Sequence, residues 1–225
     1  MSLSENLAHI TQDLPGGVTL VAVSKTKPDE MVLEAYQAGH LDFGENKVQS
    51  LIARKESALP LDIRWHFIGH LQTNKVKYIA SFVFLIHGVD SLKLLRTINK
   101  EALKNERVID CLMQIHIAEE DTKFGLSQEE LREILDAPEF REMKHVRIRG
   151  LMGMATYTEN MEQVRNEFQF LKRIFEETKA RYFSEATDQF NQLSMGMSDD
   201  YPIALEEGST MIRVGSRIFG PRQYA

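Results

Sequence analysis

The chain has 225 residues, of which 43% are hydrophobic and 27% are charged, with a formal net charge of −6. These values are ordinary for a globular protein that buries a sizeable core. An acidic surface disfavours binding to nucleic acids, although a local basic pocket could still hold one small anion. The N-terminus lacks a signal-peptide pattern and the apolar runs are too short to cross a bilayer, so we expect a soluble protein of the reducing cytoplasm, without nucleic-acid or membrane partners.

The cysteine and histidine pattern gives no indication of a metal site. The single cysteine, Cys111, lies in the apolar run VIDCLMQIHI, where it has no partner for an intrachain disulfide and is expected to be buried. His66 and His70 are four residues apart, but they straddle Gly69 at the end of a predicted strand, and no acidic third ligand is spaced nearby. We therefore predict no metal centre.

Short β-rich runs alternate with segments of helical periodicity along the chain. A helix is predicted first, and the helical segments cover residues 4–13, 28–39, 91–103, 127–135 and 160–182. Two of them carry clear end signals, since Pro28 and Gly39 bound one helix and Ser127 forms a capping box with Glu130. The strands are predicted over residues 17–24, 40–45, 63–69, 82–89, 108–117, 146–155, 191–197 and 210–216.

Eight β-then-α units in a chain of this length predict an α/β protein with a single closed (β/α)₈ TIM barrel, preceded by one extra N-terminal helix. We expect residues 1–225 to form one domain. A doubly wound open sheet is the alternative, but such sheets less often use eight strands. After the seventh strand, Ser198 is expected to cap a helix, since the acidic Asp199 and Asp200 would lie in its first turn.

The unusual residues of the sequence follow the ends of the predicted strands. In a (β/α)₈ barrel these ends meet at one rim, where the active sites of this fold lie. Their convergence predicts a functional site at that rim. The residues, in chain order, are Lys25, GEN (44–46), His66, GHLQ (69–72), EEDTKFG (119–125), Met154, SMGMS (194–198) and RVGSRIFG (213–220).

The last two of these segments are typical of a phosphate site. Gly215 and Ser216 leave the eighth strand and should open a short terminal helix, while Ser194 and Gly196 supply the loop after the seventh. Barrels commonly bind phosphate with these two loops, through backbone N–H groups and hydroxyls. Ordinary tight turns are the alternative. The sequence contains neither GxxxxGK[ST] nor GxGxxG, so a nucleoside triphosphate or a dinucleotide is not expected.

Lys25 lies one residue beyond the first strand, where its side chain would point into the barrel mouth. Desolvation and a neighbouring cation would there favour a neutral amine that can form a Schiff base. A solvated loop lysine is the alternative, and Lys27, next to Pro28, is the rival candidate. An amine on one side and a phosphate site on the other are what hold pyridoxal 5′-phosphate (PLP) in a protein.

The motifs VAVSKTKP, FGEN, WHFIGHLQTNK, DTKFG, GLMGMA, LSMGMSDD and MIRVGSRIFG resemble, in the same order, those of the pyridoxal phosphate homeostasis proteins (the YggS/PROSC family). The resemblance runs from about residue 18 to residue 220 and implies a barrel like the N-terminal barrel of alanine racemase. Many members have proline at the position of His70. The resemblance implies a covalent aldimine between PLP and Lys25, a phosphate site at Ser194, Gly215, Ser216 and the backbone near Met195, Asn46 beside the cofactor, Arg213 at the pyridine nitrogen, and His66 and Met154 near the pocket.

The resemblance also implies a non-catalytic protein of PLP homeostasis, with PLP-dependent apoenzymes as candidate recipients. Arg213 stays charged beside the pyridine nitrogen, so that nitrogen does not easily gain a proton and the ring is a poorer electron sink. Racemases of this kind add a tyrosine from a C-terminal domain, which we expect to be absent because the chain ends at Ala225. We expect a monomer. The alternatives are a small PLP-dependent amino-acid racemase and a sugar-phosphate enzyme without PLP.

Overall fold

Eight parallel strands close into a barrel, in chain order, in the computed structural model, which describes residues 2–120, 124–186 and 188–221. The barrel closes where β8 pairs with β1, with Val21 opposite Arg213. The predicted (β/α)₈ fold is confirmed, and the open sheet is wrong. The strands are β1 (Thr19–Val23), β2 (Asp42–Glu45), β3 (Arg64–Phe67), β4 (Leu85–Val89), β5 (Ile109–Ile115), β6 (Val146–Gly153), β7 (Gln192–Ser194) and β8 (Met211–Val214).

The helices surround the barrel, and the five predicted helices and the short terminal helix are confirmed. Two α-helices, Val48–Glu56 and Pro138–Glu142, and a 3₁₀ helix were missed, and none of the three begins with a side-chain cap. The helix expected after Ser198 is present as Tyr201–Glu206. The helical elements are α1 (Leu3–Gln12), α2 (Asp29–Gln37), α3 (Val48–Glu56), the 3₁₀ helix (Thr73–Tyr78), α4 (Leu92–Lys104), α5 (Gln128–Asp136), α6 (Pro138–Glu142), α7 (Met161–Tyr182), α8 (Tyr201–Glu206) and α9 (Ser216–Phe219). Within the described residues, no helix combines the length and the apolar content of a membrane span.

One predicted cap is confirmed and one is wrong. At α5, the Ser127 hydroxyl accepts from the Glu130 N–H at 3.1 Å and the Glu130 carboxylate accepts from the Ser127 N–H at 2.8 Å. Ser198 was expected to cap a helix, but α8 begins only at Tyr201. The Ser198 hydroxyl instead accepts from the Gly215 N–H at 3.2 Å, which connects the loops after β7 and β8.

The core has two layers because strand side chains alternate between the barrel interior and the helices. The interior layer is small and contains Val21, Leu85, Leu112, Met152 and Met211. The outer layer, between strands and helices, is the main hydrophobic core. It includes Cys111, which is fully buried as predicted, and burial raises the pKa of its thiol. Polar residues occupy the rest of the barrel interior and extend to the site at the carboxyl ends of the strands.

Candidate functional site

A cavity of about 490 Å³ opens at the carboxyl ends of the strands, a volume typical of small-molecule sites. Three cations, Lys25, Lys27 and Arg213, line it against one carboxylate, Asp199, together with the hydroxyls of Ser198 and Ser216. Another cavity, of about 480 Å³, lies against α7 on the outer surface, and its charged lining residues are Glu119, Glu162 and Glu167. Since carboxylates repel a phosphate, the mouth cavity is where an anionic ligand fits.

Lys25 is half-buried, and the turn that carries it is fixed by hydrogen bonds from Arg54. Thr26, the next residue, has a φ of 66°, which is unusual for a β-branched side chain. The Arg54 guanidinium donates to the carbonyl of Ser24 at 3.1 Å and to that of Lys27 at 2.5 Å. These two carbonyls flank Lys25 and Thr26, so Arg54 fixes the unusual turn that presents the lysine.

Arg54 is itself part of a largely buried cluster, in which only Asp29 is half-exposed; we call it the outer network and define it as Ser24, Asp29, Glu45 and Arg54. The guanidinium pairs with Glu45 at 3.1 Å and with Asp29, and the Ser24 hydroxyl donates to Glu45 at 2.8 Å. Glu45 is fully buried, and this burial raises its carboxyl pKa although Ser24, Arg54 and Lys25 act to lower it. The outer network therefore places a charged cluster behind the barrel wall, directly under the loop of Lys25.

Lys27 has a different role from its neighbour. Its amine donates to the carbonyls of Phe219, Gly220 and Pro221 at 2.9, 3.0 and 2.9 Å. An ammonium group has three donors, and all three are used at the end of α9. Lys27 therefore ties the Lys25 loop to the segment after β8.

The loops after β7 and β8 form one side of the cavity. Gly196 has a φ of +95°, and a Cβ atom there would lie 2.6 Å from the Cβ of Ala204, so only glycine fits this tight turn. The loop then brings Ser198 to Gly215, and Ser216 starts α9 at the cavity edge. The first N–H groups of a helix have no intrahelical acceptor, so this side offers hydroxyl and N–H donors to a phosphate.

Two residues predicted at the phosphate lie elsewhere. Ser194 is fully buried below the cavity, where its hydroxyl accepts from Arg213 Nη1 at 2.6 Å. For Met195 only the nearby backbone was predicted to contribute; its side chain is fully buried in the outer core layer, and its N–H donates to the Met211 carbonyl at 3.2 Å. Successive side chains point to opposite faces of the barrel wall, and neither of these two side chains lines the cavity. Of the two serines in SMGMS, Ser198 lines the cavity, although sequence reasoning assigned it to a helix cap.

His66 also lies away from the cavity. It points into the barrel interior, where Nε2 lies 3.0 Å from Asp42 Oδ1 and Nδ1 lies 2.9 Å from His87 Nε2. It lines a smaller cavity of about 170 Å³ at the amino ends of the strands. The motif placed it near a strand end, but β3 continues to Phe67, and its inward side chain lies one layer below the mouth.

Arg213 forms part of the cavity floor. Only 4% of the residue is exposed, and its guanidinium donates to Ser194 at 2.6 Å and to the Gly153 carbonyl at 3.0 Å. Burial lowers the pKa of Arg213 to about 10, while the charge of Asp200 acts in the opposite direction. The group therefore remains a charged donor at neutral pH, fixed at two points.

Other residues of the predicted rim form part of the wall. Asn46 and Met154 line the cavity, and Gly69 allows the close approach to Asn46, since a Cβ there would lie 2.2 Å from the Asn46 carbonyl oxygen. Phe124, from the rim segment EEDTKFG, stacks its ring on His70 with a centroid distance of 3.9 Å. Of the segment EEDTKFG, residues 121–123 lie outside the described residues.

Comparisons with known sequences give the family of the chain. The family model described as "Alanine racemase, N-terminal domain" matches residues 1–223. The pyridoxal phosphate homeostasis protein of Aquifex aeolicus is 41% identical over 205 residues, which is 91% of this chain and 87% of that protein. The protein of the same name from Escherichia coli K12 is 36% identical over 94% of this chain and 88% of its own.

Solved structures give the same result. The structure of PipY from Synechococcus elongatus, with PLP bound, has a TM-score of 0.88 and 34% identity, and the match covers 97% of this chain and 100% of PipY. Alanine racemase from Bartonella henselae has a TM-score of 0.71 at 14% identity over 97% of this chain and 58% of the racemase, which shows a shared fold. The chain thus belongs to the alanine racemase N-terminal domain family and, within it, to the family of pyridoxal phosphate homeostasis proteins.

Proposed function

We propose that the chain binds PLP in the mouth cavity, holds it as a Schiff base on Lys25, and serves PLP homeostasis without turning over a substrate. The observation that carries this proposal is one cavity that combines a lysine amine, a fixed guanidinium and a side rich in hydroxyl and N–H donors. These groups suit the aldehyde, the pyridine nitrogen and the phosphate of PLP in turn. The relative PipY with PLP bound supports the assignment.

Each residue has a chemical task in this proposal. The Lys25 nitrogen adds to the aldehyde carbon and water leaves, which forms a C=N bond. Ser198 and Ser216 donate to the phosphate, since the Ser198 oxygen accepts from Gly215 and its hydrogen is therefore directed elsewhere. Arg213 donates toward the pyridine nitrogen. Asn46 and Met154 form the wall beside the ring.

Borohydride reduction followed by peptide mass spectrometry tests the proposal. Protein incubated with PLP should carry one reduced pyridoxyl group on the peptide of Lys25, and Lys25→Ala should remove it without loss of the fold. Lys75→Ala, in the 3₁₀ helix outside the cavity lining, is the control and should keep the adduct. A reduced adduct on Lys27 or Lys75 in the unchanged protein would show that the assignment is wrong.

A small amino-acid racemase is the second candidate, because alanine racemases share the fold. PLP supplies an electron sink for carbanions, and this sink is weaker when the pyridine nitrogen carries no proton. The charged, buried Arg213 disfavours that proton. We expect deuterium exchange and racemisation of alanine, serine and other amino acids far below the usual turnover of roughly 1 to 10³ per second. Racemisation within that range, lost in Lys25→Ala, would make the protein an enzyme.

The proposal extends to the setting in which the protein acts. We propose a cytoplasmic, single-domain monomer that exchanges PLP with dependent apoenzymes. Light scattering on the purified protein checks the monomer, with 25.8 kDa as the expected mass. Transfer of PLP from the loaded protein to an apoenzyme, followed by the recovery of that enzyme's activity, checks the exchange.

A further inference from the structure

A chain of polar side chains crosses the interior of the barrel. We call it the inner network and define it as Asp42, His66, His87, Ser194 and Arg213, from β2, β3, β4, β7 and β8. The contacts are Asp42 Oδ1 to His66 Nε2 at 3.0 Å, His66 Nδ1 to His87 Nε2 at 2.9 Å, His87 Nδ1 to the Ser194 hydroxyl at 3.2 Å, and Ser194 to Arg213 Nη1 at 2.6 Å. It joins the cavity at the amino ends of the strands to the floor of the mouth.

With neutral imidazoles, the hydrogen bonds of this network fit one direction. A guanidinium donates and never accepts, so the Ser194 oxygen accepts from Arg213 and the Ser194 hydrogen can go to His87 Nδ1. Asp42, as a carboxylate, accepts from His66 Nε2–H, which leaves His66 Nδ1 as the acceptor for His87 Nε2–H. Both imidazoles are then neutral Nε2–H tautomers, and every donor points toward Asp42.

Burial supports neutral imidazoles. His66, His87 and Ser194 are fully buried. Burial lowers the pKa of His66, although Asp42 opposes the shift, and it lowers the pKa of His87 well below the usual value, with the charge of Arg213 acting in the same direction. Asp42 is held in turn by Arg64, whose Nη2 lies 2.5 Å from Oδ2. The negative end of the network is therefore anchored at the far side of the barrel.

We propose that His66 and His87 are positioning residues that keep the Arg213 guanidinium aimed at the pyridine nitrogen of PLP. They act by orienting Ser194 as an acceptor for Arg213 and by anchoring that arrangement at Asp42. This inference rests on the proposed function, since it concerns how the PLP ring is held. A polar core that only fills space would need neither the single direction nor the connection to the cavity floor.

The first test reads the tautomers in the cofactor-free protein and does not depend on PLP. Long-range ¹⁵N–¹H spectra of the histidine rings, assigned with His66→Gln and His87→Gln, should show both rings as neutral Nε2–H tautomers at neutral pH. A neutral Nδ1–H tautomer or an imidazolium at either position would break the direction of the network and overturn the inference. Because no ligand is involved, the outcome stands even if PLP binds elsewhere.

The second test compares two replacements of one residue. His87→Leu removes the acceptor for Ser194, whereas His87→Gln keeps an acceptor oxygen and a donor nitrogen. We expect PLP to bind about tenfold more weakly to the Leu variant and near normally to the Gln variant. With ¹⁵N-labelled PLP, the pyridine-nitrogen shift should move toward that of free PLP in the Leu variant only.

His145→Leu serves as the control, since this partly buried histidine contacts the Arg107 carbonyl, outside the network. Folding of each variant is checked by circular dichroism. An unchanged pyridine-nitrogen shift in folded His87→Leu, or equal shifts in the Leu and Gln variants, would overturn the inference. If the Leu variant does not fold, the histidine tautomers still test the inference, and so does the pyridine-nitrogen shift in the Gln variant. Failure of PLP to bind the unchanged protein would refute the proposed function and leave the tautomer result readable.

Discussion

Two basic residues at the mouth, Lys25 and Arg213, are supported by networks of opposite character. The outer network is charged, with the Arg54 guanidinium between two carboxylates, and it lies outside the barrel wall. The inner network runs through two histidines that burial keeps neutral. Their points of attachment differ too, since Arg54 bonds to loop carbonyls and Ser194 bonds to the Arg213 side chain itself.

This difference matches what Lys25 and Arg213 must each do in the proposed function. An amine that adds to an aldehyde must change its bonding partners during the reaction, so the loop that carries Lys25 is best fixed through its backbone. A donor to a ring nitrogen must stay in one place, so Arg213 is best fixed through its guanidinium. The molecule thus controls position at two levels, the loop for one residue and the side chain for the other.

Breaking the outer network should have the largest effect. Arg54→Met would leave the fully buried Glu45 carboxylate without its charged partner and release the turn around Lys25. Loss of one partner of a buried ion pair typically costs about 3–5 kcal/mol, and we expect a decrease of that size in the free energy of unfolding. Urea unfolding measures it, and the rate of adduct formation at Lys25 should fall as well.

Two further variants sharpen this result. Arg147→Met removes an arginine whose pair with Asp110 is half-exposed, and it should cost about 1 kcal/mol or less. Arg54→Met combined with Glu45→Leu removes both buried charges and should recover part of the lost stability. If Arg54→Met costs no more than Arg147→Met, the outer network does not hold the loop.

The inner network should respond to pH, with a sign fixed by its neutral histidines. Because burial lowers the pKa of His66 and His87, the unfolded chain binds protons below about pH 6.5 that the folded protein does not bind. Stability is therefore fully present above that pH and falls as the pH drops, by about 1.4 kcal/mol per pH unit for each such proton. Urea unfolding between about pH 5 and 7 should show the decline.

The comparison with His87→Gln isolates one of these protons. The variant should lose stability less steeply, by about 1.4 kcal/mol per pH unit where the unfolded histidine is protonated. Burial raises the pKa of Glu45, which acts in the opposite direction, but this carboxyl is common to both proteins and cancels in the difference. His9→Gln, at an exposed position, is the control. Parallel curves for the unchanged protein and His87→Gln would show that His87 is not held neutral.

The barrel could be predicted from the sequence because the patterns that indicate it are local. Alternating periodicity, the capping box at Ser127 and the paired end signals at Pro28 and Gly39 each depend on a few neighbouring residues. The rim followed from the barrel, since the ends of parallel strands meet there. Six residues predicted at the site line the cavity: Lys25, Asn46, Met154, Arg213, Gly215 and Ser216.

The three predicted residues whose side chains do not line the cavity share one physical cause. A motif shows that a residue is close to a strand end, but the direction of its side chain depends on the residue at which the strand stops. Ser194, the last residue of β7, points inward below the cavity, and the side chain of Met195, the next residue, points outward. The same holds for His66, one residue before the end of β3. The networks were missed because their contacts join residues distant in sequence, such as Ser24 and Arg54, and no local pattern records them.

The smallest predicted effect comes from a comparison of two serines of the SMGMS motif, one at the rim and one in the inner network. Ser198 lines the cavity beside the proposed phosphate site, whereas Ser194 lies below it and contacts Arg213. Each replacement by alanine removes one hydrogen bond that bears on PLP, from Ser198 to the phosphate or between Ser194 and Arg213, so each should weaken PLP binding by about 1 kcal/mol, roughly fivefold. The ligand pyridoxal, which lacks the phosphate, distinguishes them. Ser198→Ala should weaken PLP but not pyridoxal, because its lost donor faces the phosphate, while Ser194→Ala should weaken both equally, because it acts on the ring through Arg213. The reverse pattern in fluorescence titrations would show that Ser194 contacts the phosphate and does not act on the PLP ring through Arg213.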